Sequence, residues 1–162
     1  MSKKIKLLIV DDEVKFLESI AKRLELRDFD VTKATNGQEA IEATRIDKFD
    51  LALLDLKMPG MNGKEVLEII KKEHKYLEVI ILTGHGSMDS AVECTKLGAF
   101  SYLPKPYELD SLIEVLQQAY QARLEKKFQA DQARMDKLTK LATGNSPLGI
   151  LRAMREIDDD VK

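Results

Sequence analysis

Short apolar runs alternate with segments of helical periodicity along the first two thirds of the chain. The runs at residues 5–10, 29–33, 50–54, 78–82 and 100–103 have the length and composition of strands buried in a sheet. Between the runs, apolar positions recur at spacings of three and four, as amphipathic helices require. These positions are Val14, Leu17, Ile20, Ala21, Leu24, Ala40, Ile41, Thr44, Val66, Leu67, Ile70, Ala91, Val92 and Leu97. The alternation predicts an α/β fold with a five-stranded parallel sheet that helices cover on both faces.

The last helical pattern is longer than a helix that covers a sheet needs to be. It begins near Tyr107 or Glu108 and continues past residue 123 with a heptad-like spacing of apolar residues, which Asp131 interrupts. The apolar positions of this continuation are Leu124, Phe128, Met135, Leu138 and Ala142. We therefore predict three regions: a domain over residues 4–123, a coiled-coil-like helix over 124–143, and a short amphipathic segment over 144–162.

Carboxylates follow two of the predicted strands. Asp11, Asp12 and Glu13 come directly after the first run, and Asp55 follows the third, ahead of a loop rich in Pro, Gly and Asn. Because the carboxyl ends of parallel strands meet at one edge of a sheet, we expect these carboxylates to converge. A cation or protons must offset their repulsion, and a hard divalent cation suits oxygen ligands best. The sequence therefore predicts a divalent metal site at this edge.

Two further motifs extend this pattern. Thr83 lies in the segment V-I-I-L-T-G-H-G, and Lys105 lies in Y-L-P-K-P after the fifth run. Together with Asp11, Asp12 and Asp55, the last in D-L-K-M-P-G-M-N-G, they resemble the receiver domain of two-component response regulators. The resemblance covers roughly residues 4–123 and implies a doubly wound sheet with flavodoxin-like strand order.

The resemblance implies a phosphorylation site. Asp55 is expected to accept a phosphoryl group from a sensor histidine kinase in a reaction that depends on Mg²⁺ or Mn²⁺. The expected ligands of the metal ion are Asp12, Asp55, the backbone carbonyl of Lys57 and Asp11, the last partly through water. The metal ion is needed because a carboxylate and a phosphoryl donor repel each other. The domain is expected to catalyse only its own phosphorylation and slow dephosphorylation, and so not to be an enzyme for other substrates.

The same resemblance implies how the phosphoryl group is recognised. Lys105, next to an implied cis peptide bond with Pro106, is expected to pair with phosphoryl oxygens, and Thr83 to donate its hydroxyl group. Tyr102 matches the aromatic switch position of the family. The alternative for Tyr102 is an aromatic residue packed at the rim of the sheet.

Lys57 and His85 are candidates for setting the lifetime of the phosphorylated state. They lie two positions past Asp55 and Thr83, and in the family these positions flank the path of the attacking water. The alternative for His85 is an exposed loop residue without a role.

Two other classes of protein share part of the pattern. Phosphatases of the haloacid dehalogenase type use an aspartate at a strand end, but they need a second Asp two residues on, where this chain has Lys57. A flavodoxin-like FMN-binding module needs a loop rich in Ser, Thr or Gly after the first strand, whereas Asp11, Asp12 and Glu13 would repel phosphate. Both alternatives are disfavoured.

Composition narrows the partners and the location. The net charge of -2 and the pI near 5.8 give no basic footprint, and no helix-turn-helix pattern follows the domain, so no direct DNA binding is predicted. One cysteine and two distant histidines exclude an internal disulfide and a zinc site. No signal peptide or membrane span is recognisable, so a cytoplasmic location is expected.

The C-terminal part is expected to carry the output. We expect the helix over residues 107–143 to form a homodimer, with a solvated spacer as the alternative. The segment Gly144-Asn145-Ser146-Pro147 weakly resembles the start of the AAA+ ATPase domain of enhancer-binding activators. No nucleotide-binding loop follows it, so ATPase activity is not implied, and a downstream protein target is the expected partner.

Overall fold

The computed structural model describes residues 3–142, 151 and 154–155. Its strands are β1 (Ile5–Val10), β2 (Phe29–Ala34), β3 (Leu51–Leu54), β4 (Glu78–Thr83) and β5 (Ser101–Pro104). Its helices are α1 (Val14–Glu25), α2 (Gly37–Ile46), α3 (Gly63–Glu73), α4 (Met88–Lys96) and α5 (Leu109–Ala142). All five predicted strands are present, and each of their ends lies within one residue of its predicted position.

The strands form one parallel sheet in the order β2-β1-β3-β4-β5. This order confirms the predicted doubly wound fold with flavodoxin-like topology. The direction in which the chain adds strands reverses between β1 and β3, and ligands of such folds bind at that reversal. Val10 at the end of β1 pairs with Ala34 of β2 and with Leu54 of β3, so the residues that follow these strands emerge at one edge.

Apolar side chains fill both faces of the sheet. One core cluster joins the strands to α1 and α5, and the other joins them to α2, α3 and α4. In β3, Leu51 and Leu53 belong to the first cluster, whereas Ala52 and Leu54 belong to the second. Burial on both faces explains why this strand is an unbroken apolar run with no polar alternation.

Two apolar positions that we assigned to buried helix faces are exposed. Val14 is 55% exposed, because the buried stripe of α1 begins one turn later, at Leu17. Val92 is 49% exposed, because α4 packs through Cys94, which lies about 200° around the helix from Val92. Periodicity identified both helices but not which part of each apolar stripe meets the sheet.

Helix α5 begins at Leu109, one or two residues later than predicted, and spans 34 residues. The chain divides into two compact units, Met1–Arg123 and Leu124–Lys162. In the first unit, the α5 residues Leu112, Ile113, Leu116 and Ala119 are buried.

The second unit contains the heptad-like part of α5. Leu124, Phe128 and Met135 are between 42% and 66% exposed there. The predicted segment over residues 144–162 lies almost wholly outside the described residues. None of the helices in the described part of the chain combines the length and the apolar character that a membrane span needs.

Candidate functional site

Three aspartates lie together where β1 and β3 end. The backbone N–H of Asp55 donates a hydrogen bond to the Val10 carbonyl at 3.0 Å, which holds the two strand ends side by side. One carboxylate oxygen from each of Asp11, Asp12 and Asp55 lies within 4.8 Å of the other two. Asp11 and Asp55 are each 2% exposed, whereas Asp12 is exposed. The three carboxylates that we predicted as metal ligands are therefore neighbours in space.

Asp55 has an oxygen that no described group satisfies. Its Oδ1 atom is buried and accepts no hydrogen bond from the residues that the structure describes. A buried carboxylate oxygen without a partner is unfavourable, and a hard cation relieves this cost. Asp11 and Asp12 each place an oxygen close enough to bind the same ion. The set of oxygen donors fits Mg²⁺ or Mn²⁺.

Lys105 places an ammonium group among these carboxylates. Its backbone N–H donates to the Thr83 carbonyl at 2.9 Å, and its peptide bond with Pro106 is cis. The Nζ atom lies 2.6 Å from Asp11 Oδ2 and 3.6 Å from Asp55 Oδ2. Because the lysine side chain is only 12% exposed, water screens this charge weakly. The ammonium group therefore offsets part of the repulsion between the two acids.

Burial and pairing shift the pKa of both members of this ion pair. Burial raises the pKa of Asp11, and the hydrogen bonds that its carboxylate accepts from Lys105 and from the Glu13 N–H oppose the rise only in part. Burial lowers the pKa of Lys105, but the hydrogen bond to Asp11 and the charges of Asp11 and Asp55 outweigh it, so the pKa of Lys105 is raised. Lys105 is therefore cationic at neutral pH.

The loop after β3 folds back on the backbone of the site. The Gly63 N–H donates a hydrogen bond to the Leu56 carbonyl at 2.7 Å. A Cβ atom at position 63 would lie 2.5 Å from the Leu56 Cα atom and 2.6 Å from the Asp55 carbonyl oxygen. Only glycine fits here without displacing the backbone that carries Asp55. In the sequence, Asn62-Gly63 indicated a turn but not this close approach.

Thr83 is the last residue of β4, and Tyr102 lies in the neighbouring strand β5. Thr83 is buried, and its Oγ1 atom accepts a hydrogen bond from the His85 N–H at 3.1 Å. The Tyr102 side chain is half-buried, and its hydroxyl oxygen accepts a hydrogen bond from the Ser87 N–H at 3.3 Å. A Cβ atom at Gly86 would lie 2.8 Å from that hydroxyl oxygen, so the loop after β4 and the tyrosine are in close contact.

Lys57 and His85 line one open cleft beside the site. Both side chains are exposed, and the cleft has a volume of about 290 Å³. Its other lining residues are Leu56, Met58, Asn62, Lys64 and Ser90. The cleft therefore brings together the two residues that we predicted to affect the lifetime of a phosphorylated state.

Phe16 belongs to the site and was not found from the sequence. Its ring centroid lies 4.2 Å from the Nζ atom of Lys105. It also lines a small recess together with Asp11 and Asp55. In the sequence, Phe16 is an apolar residue of the first predicted helix that the helical pattern did not include, and nothing local connects it to Lys105.

Comparison with known proteins identifies the family. Residues 7–117 match the family described as "Response regulator receiver domain". The chain is 37% identical over 111 residues to the DNA-binding transcriptional regulator NtrC of Escherichia coli. The aligned region covers 68% of this chain and 24% of NtrC. It is 34% identical over 157 residues to an NtrX-like response regulator of Rickettsia bellii, which covers 95% of this chain and 32% of that protein.

A solved structure agrees with this match. The crystal structure of a CheY-like response regulator receiver domain protein from Methanospirillum hungatei superposes with a TM-score of 0.74 at 30% identity, covering 76% of this chain and 99% of that one. The chain spans about a quarter to a third of the length of the curated relatives it matches. NtrC is described as DNA-binding, so the prediction that this protein does not bind DNA directly has no support from its relatives.

The family match includes the strand ends on which the FMN-binding and phosphatase alternatives were based. Family membership leaves the FMN-binding and phosphatase alternatives without support, because the matched residues include Asp11, Asp12 and Asp55. With the strand order, the carboxylate cluster and the sequence match in agreement, the chain belongs to the response regulator receiver family, whose mechanism is phosphorylation on an aspartate.

Proposed function

We propose that Asp55 accepts a phosphoryl group from the phosphohistidine of a sensor histidine kinase. The observation that carries this proposal is the buried, unsatisfied Oδ1 atom of Asp55, whose carboxylate group lies beside Asp11, Asp12 and the ammonium group of Lys105. Asp55 also follows the central strand β3 at the reversal point of the sheet, where the bound ligands of such folds lie.

The transfer forms a bond between an Asp55 oxygen and phosphorus. The nitrogen–phosphorus bond of the donor breaks, and its electron pair returns to the imidazole ring. Asp11, Asp12 and the Lys57 carbonyl would hold Mg²⁺ or Mn²⁺ together with Asp55, and the charge of that ion would offset the repulsion between carboxylate and donor. Lys105 is near enough to pair with a phosphoryl oxygen after a short movement. Positioning and electrostatics carry the reaction, so the domain modifies only itself.

We propose that the hydroxyl group of Thr83 moves in response to phosphorylation of Asp55. A phosphoryl oxygen on Asp55 attracts the Thr83 hydroxyl as a donor, and movement of the Oγ1 atom towards it would stretch the hydrogen bond that this atom accepts from the His85 N–H. Movement of this loop changes the space beside Tyr102, because the tyrosine hydroxyl contacts Gly86 and Ser87. Tyr102 is therefore the proposed switch residue.

Lys57 and His85 are proposed to set the lifetime of the phosphorylated state. Both line the cleft beside the site, so their side chains can block or orient an attacking water. Replacing either residue with alanine is expected to change the dephosphorylation rate several-fold without changing which residue is phosphorylated.

We propose that phosphorylation is transmitted through a homodimer formed by the helix over residues 107–143. Leu124, Phe128 and Met135 are exposed at heptad-like spacing, and burial of each such side chain is worth roughly 1.5 to 3 kcal/mol before the costs of association. Asp131 in the same seam weakens the dimer, so a bias of a few kcal/mol is enough to shift it. The regions 4–123, 124–143 and 144–162 would then be the receiver, the dimer helix and a contact for a downstream protein.

Phosphorylation by acetyl phosphate tests the assignment of Asp55. We expect wild type to gain one phosphoryl group in the presence of Mg²⁺ and none after chelation, as measured by intact-protein mass spectrometry. Asp55→Asn should abolish the gain, whereas Asp89→Asn, which removes an exposed carboxylate on α4, should retain it. Equal phosphorylation of the Asp55→Asn variant would refute the proposal.

A further inference from the structure

The uncharged ring of Phe16 contacts the ammonium group of Lys105. The Nζ atom lies 4.2 Å from the ring centroid, a distance at which a cation is attracted to the face of an aromatic ring. Phe16 is half-buried and packs against the core cluster shared by α1 and α5. Its neighbours therefore keep the ring in place beside the site.

This contact differs in kind from the other contacts of Lys105. Asp11, Asp55 and Glu13 attract its Nζ atom by charge, at 2.6, 3.6 and 3.6 Å. If Asp11 and Asp55 held a cation, their attraction for the ammonium group would weaken, and the 60% exposed carboxylate of Glu13 would draw it towards solvent. The attraction of the neutral ring does not depend on how those carboxylates are occupied.

We propose that Phe16 is a positioning residue for Lys105. It keeps the ammonium group within reach of Asp55 when the carboxylates bind a cation and the phosphoryl group arrives. The consequence for phosphorylation rests on the proposed function of Asp55. The contact itself exists without metal or phosphoryl group, so the two can be tested separately.

Three variants separate the role of the ring from its contribution to packing. Phe16→Leu keeps an apolar side chain and removes the ring, whereas Phe16→Tyr keeps the ring. Phe100→Leu is the matched control, because Phe100 is also partly buried against the same core cluster but has no lysine ammonium over its ring among the contacts described.

The first readout is the proton chemical shift of the Lys105 methylene group next to Nζ, measured by NMR in the full chain without metal. A ring current should move this resonance upfield in wild type, in Phe16→Tyr and in Phe100→Leu. The shift should disappear in Phe16→Leu. A wild-type resonance at the value of an exposed lysine would overturn the proposal.

The second readout is the rate of phosphorylation by acetyl phosphate at saturating Mg²⁺. Phe16→Leu should slow this rate by roughly 2- to 30-fold, the range that cation–π attraction accounts for. Phe16→Tyr and Phe100→Leu should stay close to wild type. In a Lys105→Ala background, Phe16→Leu should have no further effect, because the group that it positions is absent.

The two proposals fail in different ways. An undiminished effect of Phe16→Leu in the Lys105→Ala background would overturn the positioning role and leave the assignment of Asp55 intact. Absence of phosphorylation on Asp55 in wild type would refute the proposed function, and the Lys105 chemical shift alone would then decide whether Phe16 positions the ammonium group.

Discussion

Helix α5 contains two parts: the first has a buried apolar stripe, and in the second several apolar residues are exposed. Up to Arg123, its apolar stripe is buried in the core of the receiver, with Leu116 wholly inaccessible. From Leu124 onwards, Phe128 is 66% exposed and Met135 59%. The spacing of apolar residues is helical in both parts, so the spacing alone does not distinguish them.

The difference shows that helix formation and helix burial are separate matters. The second part contains many residues with good helix propensity and a local ion pair between Asp131 and Arg134, and both favour a helix that is exposed. The first part is also held by Arg123, which donates to Asp50 at 3.1 Å and to the Tyr76 carbonyl at 2.7 Å. We infer that the core of the receiver holds the first part in place. The exposed apolar residues of the second part remain free to pack against another surface.

The largest expected effect concerns the buried part. Leu116→Ala should destabilise the receiver by about 2 to 5 kcal/mol, because it leaves a cavity in a closely packed core. Phe128→Ala should change stability by less than about 0.5 kcal/mol, because its side chain is exposed. Urea unfolding at low protein concentration measures both. Similar losses for the two variants would contradict the division of α5 at Arg123.

The next effect concerns self-association. Phe128→Glu should weaken the proposed homodimer by about 100-fold or more, because each dimer loses two buried rings and gains two charges. Gln129→Glu adds the same charge next to the seam and should have little effect. Analytical ultracentrifugation, with and without a beryllofluoride mimic, measures the change. If wild type, Phe128→Glu and a chain that ends at Arg123 are all monomeric, the helix is a solvated spacer.

A smaller effect is expected where the two parts of α5 meet. Arg123→Met should destabilise the receiver by about 1 to 2 kcal/mol, because Asp50 and the Tyr76 carbonyl each lose a hydrogen-bond donor. Arg134→Met should cost no more than about 0.5 kcal/mol, because its pair with Asp131 is exposed. Hydrogen exchange would add detail, since residues 109–123 should lose protection only in the first variant.

The smallest effect is a pH dependence confined to the receiver. Hydrogen bonds from the Thr35 hydroxyl and N–H lower the pKa of Glu39, so this carboxylate stabilises the fold above its unfolded pKa. That stability is lost as the pH falls through the lower, folded pKa.

Glu39→Gln should remove this acid dependence, which amounts to a few tenths of a kcal/mol because the group is exposed. Urea unfolding between pH 3 and 7 measures it, with the exposed Glu42→Gln as a control. If Glu39→Gln also changed self-association at neutral pH, the receiver and the second part of α5 would not be independent.

The strands and the positions of the carboxylates were predictable because their signals are local. The strands β1, β3 and β4 are largely apolar runs that polar or turn-forming residues end, and Asp55 follows β3 directly. Parallel strands align their carboxyl ends, so the order of elements along the chain was enough to place Asp11, Asp12 and Asp55 at one edge of the sheet. The resemblance to a family supplied the strand order and the roles of individual residues, which periodicity cannot supply.

The tertiary structure decided the contacts that join distant parts of the chain. Phe16 meets Lys105 only because α1 and the loop after β5 reach the same edge of the sheet. The close approach of Gly63 to Asp55 likewise depends on how the loop after β3 closes. The sequence by itself determined which segments form strands and helices and which carry acids, because these depend on neighbouring residues. Which apolar stripe is buried and which aromatic ring supports the lysine depend on packing between segments, and only the folded structure decided them.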